Sequence, residues 1–144
     1  MGLLARMKGV TPQKKPTDDI LLVHAMLLMA GADGAIDDEE IATVEAFANT
    51  LAEFKEADFG QLIEGARKML KRYNSLKESV AALGEFSTPA MGMKAYVLAA
   101  DIALSSGDVD ENEDELLETM QRLCNVDDRS AQTIIWVLQQ KYAS

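Results

Sequence analysis

A chain of 144 residues, 48% of them apolar, is long enough to bury the core of one domain and too apolar to be disordered. Its formal net charge of −10 argues against a broad nucleic-acid-binding face and suits a cation or a basic surface as partner. A lone cysteine, Cys124, excludes an internal disulfide, and no apolar run reaches membrane-spanning length, so the expectation is a cytoplasmic protein without stable membrane insertion.

Residues 1–16 carry Arg6, Lys8, Lys14 and Lys15, no acid, and Gly2, Gly9, Pro12 and Pro16. They are expected to form a flexible basic segment ahead of a single helical domain over 17–144. Leu3, Leu4 and Met7 are the side chains that would dock if the segment did not stay free.

From there helix-start chemistry recurs seven times with almost no strand signal. Thr17 caps a first helix with a continuous apolar run, ending at Gly31 or Gly34 in a left-handed turn. Asp37 with Glu40 has the spacing of a capping box and opens a second helix to about Leu51, striped by Ile41, Val44, Phe47 and Ala48. Asp58 with Gln61 starts a third, whose last turns hold Lys68, Lys71 and Arg72, where cations suit the helix dipole. Ser75 with Glu78 leads a fourth through Leu76, Val80, Leu83 and Phe86. Thr88-Pro89 opens a fifth, stopping at Gly107. Asp110 with Glu113 caps a sixth and Asp127 a seventh.

The segment Asp33-Gly34-Ala35-Ile36-Asp37-Asp38-Glu39-Glu40 returns 73 positions later as Ser106-Gly107-Asp108-Val109-Asp110-Glu111-Asn112-Glu113. Glycine, apolar plug, acid and a second acid recur in order, each time between two apolar runs. The reading is an all-α, compact domain of about seven helices, internally duplicated as helix–acidic loop–helix units. Two copies are too few for a solenoid.

An EF-hand alignment fails at its first two ligands. Loop positions one and three would be Met29 and Gly31, and Ile102 and Leu104 in the second copy, none with a side-chain oxygen. Helix caps and favourable dipole contacts account for most of the motif without a ligand. They account less well for its density, five carboxylates within eight residues, with Asp33 near a helix C-terminus. If the loops converge, a hard divalent cation, calcium or magnesium, would relieve the repulsion. Its ligands would come from Asp33, Asp37, Glu40, Asp108, Asp110 and Glu113.

Ala32 to Glu40 after Leu27-Leu28-Met29-Ala30, with its copy at Ser105 to Glu113, resembles the loop of the TerB-like tellurite-resistance family. The resemblance covers about residues 17–142. It implies an internally duplicated cytoplasmic helical domain, an association with tellurite and related stresses, and a metal-linked role for the acidic patch. Ser106 stands where the family pattern has aspartate.

Other residues read as structural. His24 lies in the first apolar run and, with no second histidine, is a core residue. Cys124 ends an apolar stripe and serves as a small filler. Trp136 falls off the stripe of Ile134, Ile135 and Leu138, and is expected to pack on a second face or else to anchor a partner. No nucleophile–base pair or phosphate loop is present, so the chain is expected to act by binding. Its partner would be a cation or a protein offering a basic surface.

Overall fold

A helix that is apolar on every side has to be enclosed by others, and that requirement organises the molecule. In the computed structural model, which describes residues 16–32 and 36–144, Leu21 through Met29 are buried without a break. They belong to α1 (Asp18–Ala30). The chain continues as α2 (Asp38–Ala48), a 3-10 turn at Ala52–Phe54, α3 (Phe59–Leu70), a 3-10 segment at Glu78–Glu85, α4 (Pro89–Ser105), α5 (Glu111–Leu123) and α6 (Asp128–Tyr142). All seven expected helical segments are present, and no strand occurs among the described residues. Residues 1–15 of the expected basic segment 1–16, together with Asp33 and Gly34, lie outside them.

The caps explain why the helices start where they do. Thr17, Asp37, Asp58, Thr88, Asp110 and Asp127 each accept, through a side-chain oxygen, the backbone N–H three residues on. Each such bond contributes roughly 0.5–2 kcal/mol. Pro89 follows Thr88 at the first helical position, where a missing N–H costs nothing.

Three expectations need correction. Gly31 does cap α1, but with φ −105, outside the left-handed region. The second helix ends at Ala48, short of Leu51, because the chain turns early into Ala52–Phe54 and buries Phe54. The fourth segment is 3-10 and not α. Ser79 and Ala82, three apart, are both buried, as the three-residue repeat allows. The Ser79 carbonyl accepts the buried His24 Nε2–H at 2.9 Å, and its hydroxyl bonds back to the Leu76 carbonyl.

The central α1 packs against α2, α3, α4 and the Glu78–Glu85 segment, while α4 also carries α5 and α6. Where α4 passes the end of α5 the backbones nearly touch. A Cβ on Gly92 would sit 2.9 Å from the Cys124 carbonyl oxygen. The end of α5 is a Schellman turn. Asn125 takes φ 57, its N–H donates to the Arg122 carbonyl at 3.2 Å, and the Val126 N–H donates to the Gln121 carbonyl at 2.9 Å. Val126 is buried, the apolar contact that goes with this turn. None of the described helices is long and apolar enough to cross a membrane.

Candidate functional site

Two acidic loops connect α1 to α2 and α4 to α5, and both expected capping boxes are formed. Asp37 Oδ1 accepts the Glu40 N–H at 2.9 Å, and the Asp37 N–H donates to Glu40 Oε2 at 3.2 Å. Seventy-three residues on, Asp110 Oδ1 accepts the Glu113 N–H at 2.8 Å and the Asp110 N–H donates to Glu113 Oε1 at 3.1 Å. The same four groups thus do the same mechanical work twice, fixing two helix starts and the orientation of four carboxylates.

The structure brings Asp37 to Glu40 and Asp110 to Glu113. Asp108 is exposed in the second loop, where its carbonyl accepts the Ser106 hydroxyl at 3.2 Å. That hydroxyl also bonds the Ala103 carbonyl at 3.1 Å, so Ser106 holds the turn that Gly107 enters with φ 92. Asp33, the remaining member of the expected set, lies outside the described residues. Among the described residues no three histidine, cysteine or carboxylate side chains cluster closely enough to hold a metal ion. Partial burial lifts the Glu113 carboxyl above its usual range, helped by the Asp110 charge, against the lowering effect of the bond from Asp110 N–H.

A pocket of about 230 Å³ lies between the end of α1, the 3-10 region and α5, and none of Asp37, Glu40, Asp108, Asp110 and Glu113 lines it. Leu28, Gly31 and Ala32 line it from the end of α1, Leu76, Lys77 and Val80 from the 3-10 region, and Asn112, Glu115, Leu116 and Thr119 from α5. Ala32 is the residue before Asp33, and Asn112 the residue before Glu113.

A second concavity, a groove of about 570 Å³, runs between α5 and α6 over α4. Tyr96, Leu104, Val109, Leu117, Ala131, Ile135 and Trp136 give it apolar walls, and Asp114, Glu118 and Asp128 place carboxylates around them. Trp136 is 61% exposed and its neighbour Val137 52%. The expectation that Trp136 packs on a second helix face is therefore overturned, because α6 turns its off-stripe side to solvent. Burial, and then the charge of Asp114, raise the Tyr96 phenol above its ordinary value, so it stays protonated beside the carboxylates.

The remaining candidates are structural. His24 is fully buried with Nδ1 unpartnered, and burial lowers its pKa to about 4 despite the Ser79 bond, so it is neutral. Burial pushes the Cys124 thiol up to about 11, away from the reactive thiolate. Asp101 receives both Lys141 and the Tyr142 hydroxyl, pinning the end of α6 to α4. Sequence reasoning missed the groove, Gly92 and Asn125. The one local signal was the Asn-Val pair after Cys124, since asparagine tolerates a left-handed backbone.

No curated protein and no solved structure matched the chain. A family model described as tellurite resistance protein TerB matches residues 19–134, from the first turn of α1 into α6 and across both capping boxes. With most of its length inside that match, the chain belongs to the TerB tellurite-resistance family.

Proposed function

We propose that this chain is a non-catalytic accessory protein in metal and oxyanion stress that works by binding a divalent cation, calcium or magnesium, with its two acidic loops. The observation that supports the reading is the repeated pairing of carboxylates, Asp37 with Glu40 and Asp110 with Glu113, held by the same two bonds in each loop. Asp33, Asp37, Glu40, Asp108, Asp110 and Glu113 offer the oxygen donors that a hard cation takes. Family membership supplies the stress context.

Thermal unfolding in a calcium and magnesium series at constant ionic strength tests this. The midpoint should climb as the ion passes its dissociation constant. Asp33→Asn should remove most of that climb and leave the ion-free fold intact. An equal response from both proteins, or one matched by sodium, would reduce the effect to screening and end the cation reading.

The acid-rimmed groove with its exposed Trp136 favours a second reading, a module that docks a basic protein partner without metal. Amide NMR separates the two. Calcium-dependent shifts at both loops support the cation site, and unmoved loop amides in an intact fold support docking.

A further inference from the structure

Helices α5 and α6 both pack on α4 but hardly on each other, and the gap between them is the groove of about 570 Å³. Each lines it with a helical face. The α6 face runs from Asp128 to Gln139, a length of about 16 Å or three turns. Trp136 on that face is 61% exposed. On α5, Asp114 and Glu118 stand one turn apart.

The two walls differ in charge. Asp114 and Glu118 are exposed, and neither forms an ion pair among the described residues. The α6 wall is neutral along Gln132 and Gln139, and Asp128 at its start is held by the Gln121 Nε2–H at 2.8 Å. At the floor Tyr96 is only 3% exposed, yet its hydroxyl makes no hydrogen bond among the described residues. A buried phenol is thus left with a donor for whatever fills the groove.

Neither wall is a strand edge, and apolar side chains cannot satisfy a bare peptide backbone. An occupant must therefore bond its own backbone internally, as a helix does. Leu117, Ile135 and Trp136 match an apolar stripe along its underside, and the Asp114–Glu118 pair matches two cations one turn apart on one flank. The cationic helix of this chain, α3, does not qualify, because its apolar side is already buried through Ile63, Ala66 and Met69. A second copy, with the same net charge of −10, is repelled. We propose that the α5–α6 groove docks an amphipathic helix of about three turns from a partner protein, its apolar stripe over Trp136 and its lysines or arginines against Asp114 and Glu118. The inference rests on the docking reading and needs no cation site, because none of the six proposed ion ligands lines this groove.

The full-length chain in chelator tests it, with Trp136, the single tryptophan, as reporter. The probe is an acetylated, amidated peptide of about twelve residues, built of leucine, alanine, lysine and glutamine, with leucines on one helical stripe and lysines one turn apart on one flank. It should shift Trp136 emission to the blue, become helical by circular dichroism and move the amides of 114–121 and 128–139. Asp114→Asn with Glu118→Gln should weaken binding about tenfold. Asp38→Asn with Glu39→Gln, an equal change of charge at the start of α2, should leave it unchanged. Equal weakening by the two pairs would overturn the proposal, and so would equal binding by a peptide of the same residues in an order that breaks the stripe. The same amide shifts from spermidine alone would also overturn it and make the groove a site for small organic cations. A peptide that moves the amides of the acidic loops and not those of the groove would overturn it while leaving the docking reading standing. No binding at millimolar peptide would end both.

Discussion

At the scale of single residues, His24 shows what enclosure does to a side chain that could have been a ligand. Its Nε2–H satisfies the Ser79 carbonyl, and the cost of charging the ring inside the core holds the pKa near 4. Because the folded pKa lies below the unfolded value of 6.5, the neutral ring stabilises the fold fully above pH 6.5. That stability is lost as the pH falls from 6.5 towards 4. A shift of this size corresponds to about 3 kcal/mol. Urea unfolding of wild type and His24→Gln, compared at each pH so that the common carboxylate effects cancel, should show the wild-type advantage shrinking by about that amount between pH 7 and pH 4. A pH-independent difference would mean that the ring is not buried neutral. Gly92 makes the opposite point, a residue needed for what it lacks. Gly92→Ala drives a methyl against the Cys124 backbone and should cost about 1–3 kcal/mol in the same assay. Gly65→Ala meets a side chain and no backbone, Ile20 Cδ1 at 2.6 Å and Cγ1 at 3.0 Å, and should cost less because a χ rotation of Ile20 can relieve the contact.

At the scale of elements, what was legible in the sequence was whatever the chain decides locally. All six α-helices begin at the expected cap, because a cap is a bond between residues three apart. Asp37→Ala and Asp110→Ala should each cost about 0.5–2 kcal/mol in chelator, with no added ion. Stability that is unchanged in chelator and falls only with a divalent ion present would contradict the capping role. The 3-10 form of Glu78–Glu85 was not legible, because the Ser79 carbonyl is claimed by a histidine 55 residues away. The turn after α5 was half legible. Asn125→Gly should be neutral or slightly stabilising, and Asn125→Val should destabilise by about 1–3 kcal/mol, since a β-branched residue resists φ 57. Equal stability of the two variants would show that the turn relaxes instead of holding the left-handed backbone.

At the scale of the whole molecule, the repeat and the site part company. The duplicated loops were visible as a sequence offset, and the pairing of Asp with Glu inside each loop followed from spacing. How the groove opens between α5 and α6, and that Trp136 is left exposed on its wall, depends on helix packing that no local pattern encodes. The packing itself makes a testable claim. Helix α1 is buried along Leu21 to Met29 by elements from both halves of the chain, with α4 covering a side that α2 and α3 leave open. Split at Ser87, the first half would expose the side of α1 that faces α4, a surface of Leu and Met side chains worth about 1.5–3 kcal/mol each when fully buried. That loss is comparable with the whole stability of a small domain, about 5–15 kcal/mol. Fragments 16–87 and 88–144 should therefore each lack a cooperative thermal transition by far-ultraviolet circular dichroism. An equimolar mixture should recover one whose midpoint rises with concentration, as association demands. A cooperative melt from 16–87 alone, unaffected by adding 88–144, would show that α1 does not depend on α4 and that the two helix–loop–helix units fold as independent modules.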